Sequence, residues 1–263
     1  MKTTRYVYIL GPAGSGKSTL TASLANIIES HDLTVARVNL DPGAEWIPYE
    51  PDVDVRNYIK LSEVMEKYKL GPNGGLVVSV DLMINYINDM VKSIEDIEPD
   101  YVLIDTPGQM ELFAFRETGA NIARILGERK NSAILFLIDS FSMRKPSIIA
   151  SMLLLAASTY VKFMFPQINV LTKIDRINVN DLKQIIEWSQ DLTALSDALE
   201  LEMQESQREI SRDILIIVSN LGFLGDIIPV SSYKSETIMA LYAELQRIFS
   251  SEDETELKYD DQL

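Results

Sequence analysis

Apolar positions along the chain keep two different rhythms, and the two alternate. Short continuous apolar runs at Tyr6 to Leu10, Val35 to Leu40, Tyr101 to Asp105, Ala133 to Asp139, Ile168 to Thr172 and Ile227 to Val230 predict strands buried on both faces. Between them the apolar residues return every three or four positions, as at Leu20, Leu24, Ile27 and Ile28, which predicts helices. Strand and helix in alternation imply an α/β fold of three layers, a mostly parallel central sheet between helices. Such a sheet takes its ligand outside the carboxyl ends of its strands, and the first five runs all end in polar or glycine-rich turns.

Three longer segments complete the outline. Ile148 to Val161 is apolar but shorter than the ~20 residues a bilayer span requires, so it predicts a core helix or one covering a partner groove. Asp181 to Asp213 alternates Leu, Ile and Met with acids and amides, predicting an amphipathic helix pair on the sheet within a helical insertion over about 176–226. From Ser251 to Leu263 the chain is acidic without a packing face, so a disordered, solvated tail is expected after a single domain over 1–250.

Composition narrows the chemistry. With 263 residues and 46% hydrophobic content, one core suffices. Cysteine is absent, which removes disulfides and thiolate metal sites and fits a reducing, cytoplasmic setting. His31, the single histidine, is expected on the surface past the first helix, so imidazole chemistry is excluded. A net charge of -15 argues against nucleic acid as a direct partner, and no apolar leader precedes the first strand, so no membrane partner is expected.

The first strand runs into Gly11-Pro12-Ala13-Gly14-Ser15-Gly16-Lys17-Ser18-Thr19, a G-x-x-x-x-G-K-[ST] pattern. Backbone amides from Gly14, Ser15 and Gly16 through Thr19 are expected to cradle phosphates at a helix N-terminus, with Lys17 reaching the β and γ phosphates and Ser18 holding Mg²⁺. The third strand delivers Asp105-Thr106-Pro107-Gly108-Gln109-Met110-Glu111. Asp105 would accept from Mg²⁺-bound water and Gly108 would offer its N–H to the γ phosphate. Gln109 and Glu111 fall where an attacking water could be oriented. After the fifth strand stands Thr172-Lys173-Ile174-Asp175. A carboxylate at Asp175 can accept from both N1–H and the 2-amino group of guanine, which favours GTP and GDP over adenine nucleotides. Lys173 would lie along the base plane, and Ser231 would approach the base O6 through its backbone.

Two further motifs, Asn39-Leu40-Asp41-Pro42-Gly43-Ala44-Glu45 followed by Tyr49 and Pro51 to Arg56, and Gly71-Pro72-Asn73-Gly74-Gly75, complete a set in which the chain resembles the GPN-loop GTPases. The family belongs to the broad group of signal-recognition and MinD-like nucleotide switches. The resemblance implies GTP hydrolysis with Mg²⁺ by a homodimer, with Asp41, Gln109 and Glu111 orienting the water and Ser18, Asp41 and Asp105 serving the metal. It also implies that Asn73 acts in trans, since Pro12 stands where MinD-like relatives carry a second lysine. Gly71 and Gly74 would permit unusual backbone angles in a loop tip. Gly43 stands where the family usually has alanine, Asn57 where aspartate is common and Thr172 where the wider pattern has asparagine; none is expected to touch the chemistry. Eukaryotic members are associated with RNA polymerase II assembly, which suggests a peptide or protein client at an apolar groove. Two other readings of the residues stay open: a P-loop nucleotide or polynucleotide kinase, and a nonhydrolytic scaffold around a structural nucleotide.

Overall fold

The apolar runs fold as strands that lie side by side: β1 (Arg5–Leu10), β2 (Val35–Asn39), β3 (Val53–Asp54), β4 (Tyr101–Asp105), β5 (Ser132–Asp139), β6 (Gln167–Thr172) and β7 (Ile227–Pro229). They form one sheet in the order β3-β2-β4-β1-β5-β6-β7, every adjacent pair parallel. The computed structural model describes residues 3–127, 131–202, 216 and 227–260, with the backbone alone from 251.

Alternation along β1 explains the three layers. Val7 and Ile9 face one side, where α1 (Lys17–Glu29) and α10 (Ser235–Asp260) cover them with Leu20, Leu24, Ile28, Ile238, Leu241 and Leu245. Tyr8 and Leu10 face the other, against a larger core drawn from α2 (Leu61–Tyr68), α3 (Pro72–Leu82), α4 (Ile87–Glu95), α5 (Met110–Ala114), α6 (Glu117–Leu126) and α7 (Pro146–Phe163). Tyr8 carries a hydroxyl into that core, where it donates to the Ala123 carbonyl at 2.7 Å and so is not left unsatisfied. α8 (Val179–Gln190) and α9 (Leu192–Glu202) add Ile185, Leu195 and Leu199 to that core.

Several expectations change. β3 is two residues long, within the short alternating run Asp52-Val53-Asp54-Val55-Arg56, and it extends the sheet by one strand beyond the six expected. The Gly-Pro-Asn segment is not a loop tip: Pro72 opens α3, Gly71 caps it with φ of -75°, and neither Gly71 nor Gly74 has a positive φ. Proline at the first helical position has no N–H to lose and its fixed φ suits the helix, so the same residues that form turns here start a helix. α7 is longer than its apolar run and is long and apolar enough to cross a membrane by length and composition. It buries Ile149, Leu153, Ala156, Ala157 and Phe163 against the sheet side and leaves Leu154 and Val161 exposed. The amphipathic pair is present as α8 and α9; the rest of the expected insertion lies outside the described residues apart from residue 216. The acidic segment expected to fray continues α10 to Asp260, in keeping with the helix propensity of Glu, Leu and Lys; residues 261–263 lie outside the described residues. His31 is exposed just past α1, as expected.

Candidate active site

Strand order decides which loops meet. β1 lies between β4 and β5, so the segment leaving β1 is flanked by Asp105 at the end of β4 and Asp139 at the end of β5. That segment, Gly11 to Gly16, turns through three glycines with positive φ: Gly11 at 150°, Gly14 at 75° and Gly16 at 97°. Gly11 also has no room for a side chain, since a Cβ there would meet the Leu137 carbonyl at 2.6 Å. Lys17 opens α1, is almost fully buried, and donates through Nζ to the carbonyls of Gly11 at 2.9 Å and Pro12 at 3.2 Å. Burial lowers its pKa from the ordinary lysine value, against the opposing pull of Asp105 and Asp41.

Asp105 is 2% exposed. Burial pushes its carboxyl up to about 6, although the hydroxyls of Ser18 and Tyr49 and the charge of Lys17 pull it back down. Oδ2 accepts from the Tyr49 hydroxyl at 2.9 Å, while Oδ1 is buried with no hydrogen-bond partner. An orphaned carboxylate oxygen beside Lys17 and Ser18 fits the water shell of a hard divalent cation, so these residues suit Mg²⁺.

Asp41 lies between two loops. Its Oδ1 accepts from Gly43 N–H at 2.9 Å and its Oδ2 from Gly108 N–H at 2.8 Å. The Gly108 amide, expected to be free for a γ phosphate, is therefore already engaged, and Asp41, expected at metal and water, has both oxygens on amides. The reason is local: the turn after β2 aims the carboxylate at the turn after β4. Gly43 does touch this chemistry, contrary to expectation, because its N–H fixes Asp41 and its bare Cα lets Leu76 of α3 pack where a Cβ would meet Cδ2 at 2.6 Å. A buried network steadies the same turn: Asn39 accepts from the Asp41 N–H and donates to Asp54, and Arg56 pairs with Asp54 at 2.6 Å while donating to the Ala44 carbonyl at 2.8 Å.

Gln109 and Glu111 are exposed at the start of α5. They line a cleft of about 580 Å³ whose other walls are Pro12, Ala13, Phe115 and Leu155, so both residues stand beside the phosphate loop. Asn73 is exposed on the first turn of α3, and among the described residues no hydrogen bond joins it to that loop.

Thr172, Lys173 and Asp175 form the far wall with Gly16, Thr19 and Tyr233, around a cavity of about 120 Å³. The Thr172 hydroxyl lies 2.7 Å from the Ser15 carbonyl and 3.1 Å from that of Ile138, so its single proton fastens the end of β6 to the phosphate loop, the nearer of the two acceptors. Threonine thus keeps the fastening role without asparagine. Lys173 sits at φ of 58° and donates to the Gly14 carbonyl and to Asp139 Oδ2, the latter at 2.7 Å. Its stem runs past Gly16, consistent with the expected place along a base, while its ammonium group is structural. The Ser231 N–H, on the backbone expected near a base O6, is engaged by Thr237 Oγ1 at 3.0 Å. The Ser231 hydroxyl donates to Asp175 Oδ1 at 2.6 Å and aims that carboxylate. Sequence reasoning missed Asp139 and gave Tyr49 no role; Asp139 closes an apolar run, the signal that could have marked it.

A G-x-x-x-x-G-K-S loop leaving the central strand, with the Thr172-Lys173-Ile174-Asp175 turn two strands away, is the arrangement of a P-loop nucleoside triphosphatase. A family model described as "Conserved hypothetical ATP binding protein" matches residues 9–251. The chain is 33% identical over 250 residues to GPN-loop GTPase 3 of Dictyostelium discoideum, covering 92% of this chain and 85% of that protein. It is 31% identical over 195 residues to GPN-loop GTPase 1 of the same organism, covering 73% of this chain and about half, 48%, of that longer protein. The crystal structure of the GTPase PAB0955 from Pyrococcus abyssi superposes with a TM-score of 0.83 at 28% identity, over 93% of this chain and 97% of the other. The chain belongs to the GPN-loop GTPases and is a GTP hydrolase.

Proposed function

We propose that this GTPase works with Mg²⁺ as a homodimeric, nucleotide-driven switch that serves the assembly of a protein complex such as RNA polymerase. The observation that carries the reading is the fastening of the guanine-reading turn to the phosphate loop through Thr172 and Lys173, with Asp175 aimed by Ser231. Adenine offers Asp175 no paired donors, so the site reads guanine.

Ser18 and Asp105 would hold Mg²⁺, which when bound would supply positive charge against the polyphosphate. Lys17 carries its charge to the phosphates from a site already desolvated, where it counts for more than in water. Gln109 and Glu111, on the cleft beside Pro12 and Ala13, supply an amide and a carboxylate to orient water. Asp41 joins them once the Gly108 amide passes to phosphate. Asn73, exposed on α3, is left to act on a partner subunit's site. The apolar part of the Gln109 cleft, with Met110, Phe115 and Leu155, is where a peptide client would lie, and a cytoplasmic location completes the proposal. A kinase reading is less favoured, because that cleft is walled by an amide, an acid and apolar groups rather than by arginines.

The test is steady-state hydrolysis with Mg²⁺. GTP should be turned over in preference to ATP, and Gln109→Ala or Glu111→Ala should lower kcat about 100-fold. Asp175→Asn exchanges an acceptor for a donor, so GDP affinity should fall about 100-fold while xanthosine diphosphate, with a carbonyl at C2, gains. Mixing Asn73→Ala with Lys17→Ala protein should restore part of the activity that each lacks, because a mixed dimer holds one intact composite site. Equal turnover of ATP, or no recovery on mixing, would remove the guanine and trans parts of the proposal respectively.

A further inference from the structure

Tyr49 lies on the segment that leaves β2 and reaches β3, the same segment that carries Asp41. Its hydroxyl donates to Asp105 Oδ2 at 2.9 Å, and the residue is half-buried. Asp105 is 2% exposed, so its two oxygens share a confined space and are not equivalent. One is committed to Tyr49; the other, Oδ1, is buried and unpartnered. A carboxylate torsion is broad, so without a fixed donor the plane of the group is free to turn. A donor pinned to one oxygen therefore fixes that plane and the direction in which the other oxygen points.

That donor is itself held. Arg56 donates to the Ala44 carbonyl and to Asp54, and Asn39 fixes the turn at Asp41, so the first half of the 41–49 stretch is tied at Asp41 and Ala44 and Tyr49 anchors its far end on Asp105. The register places Asp54, Asn39 and Asp105 opposite one another on three neighbouring strands, which brings this network within one row of the carboxylate.

We infer that Tyr49 is a positioning residue for divalent-cation binding: its hydroxyl turns Asp105 so that Oδ1 is presented to the metal's water shell. The inference rests on the proposed use of Asp105 with Mg²⁺. Tyr49 acts through Asp105 and touches neither nucleotide nor metal. Its effect is confined to the metal-dependent part of nucleotide binding, and it makes the conformation of the 41–49 stretch and cation affinity sensitive to each other.

The experiment measures the affinity of a fluorescent N-methylanthraniloyl GDP for the full chain, in EDTA and across a Mg²⁺ titration, for wild type and Tyr49→Phe, with matching far-UV circular dichroism. Wild type should gain affinity as Mg²⁺ is added. Tyr49→Phe should keep its affinity in EDTA and require about tenfold more Mg²⁺ for half the gain, the scale of one hydrogen bond to a charged group. Displacement of free Mn²⁺, followed by electron paramagnetic resonance with GDP present, should show the same shift. An unchanged Mg²⁺ half-point would overturn the inference and leave the proposed function standing. Equal losses with and without Mg²⁺ would also overturn it, since they mean a structural role. A wild type indifferent to Mg²⁺ would overturn the proposed function and the inference with it.

Discussion

Asp105 pays for its position with stability. Burial raises its carboxyl from 3.8 to about 6, so between those values the folded chain holds a proton that the unfolded chain has released. A folded pKa above the unfolded one means that stability falls as pH rises through roughly 4 to 6, and that above this window the fold carries a penalty of about 3 kcal/mol. Asp105→Asn keeps an acceptor for Tyr49 and removes the charge. In EDTA without nucleotide it should be more stable than wild type by about 2–3 kcal/mol at pH 8, the difference closing below pH 4. Urea unfolding across pH measures this; equal stability at pH 8 would refute it. Residues of this kind were legible because their chemistry is carried by adjacent letters: Lys17 sits in its loop motif and Asp105 ends an apolar run before a Pro-Gly turn. Asp139 and Tyr49 were not legible, because what makes each important is a partner 34 and 56 positions away, Lys173 and Asp105 respectively.

Among the elements, α3 departs furthest from its reading. Pro-Asn-Gly-Gly reads as a turn on local grounds, and only the packing of the apolar residues that follow, Leu76 and Val80 among them, turns it into a helix. At Gly75 a Cβ would meet Met65 Cγ at 2.6 Å and Leu61 Cδ1 at 3.0 Å, so its absence lets α3 approach α2 closely. Alanine is the better helix former by about 1 kcal/mol, yet Gly75→Ala should destabilise by about 1–2 kcal/mol because overpacking outweighs propensity. Denaturant midpoints decide the sign, and a gain in stability would mean that α2 yields more easily than its contacts imply. The strands were legible throughout except β3, whose two residues are too few to display a period. α8 and α9 were legible as an amphipathic pair because acids and amides mark one face of each.

At the scale of the molecule, two apolar clusters on opposite faces of an all-parallel sheet leave nearly all charge outside, and that charge is -15. Like charges at this density repel, and salt screens them: moving from 0.01 to 0.5 M NaCl shortens the screening length from about 30 Å to about 4 Å. The thermal midpoint should rise by about 2–5 °C over that range at pH 7.5, read by differential scanning fluorimetry. A fall would mean that ion pairs such as Arg116 with Asp81 outweigh the net repulsion. The architecture was legible as a whole because every crossover except the one from β2 to β3 returns a helix to a face of the sheet, which alternation of the two periods announces. The proposed action of Asn73 in trans rests on the family resemblance, since a single chain's pattern does not say which exposed residue faces a second copy.

The clasp that Asp41 makes on the Gly108 amide sets a condition on any incoming third phosphate. An oxygen seeking that amide meets an anion of the protein's own already seated, so entry is an exchange of one negative group for another rather than an addition. A nucleotide one phosphate shorter has nothing to offer in the trade. The distinction between the two ligands is then written in which of them can evict a side chain.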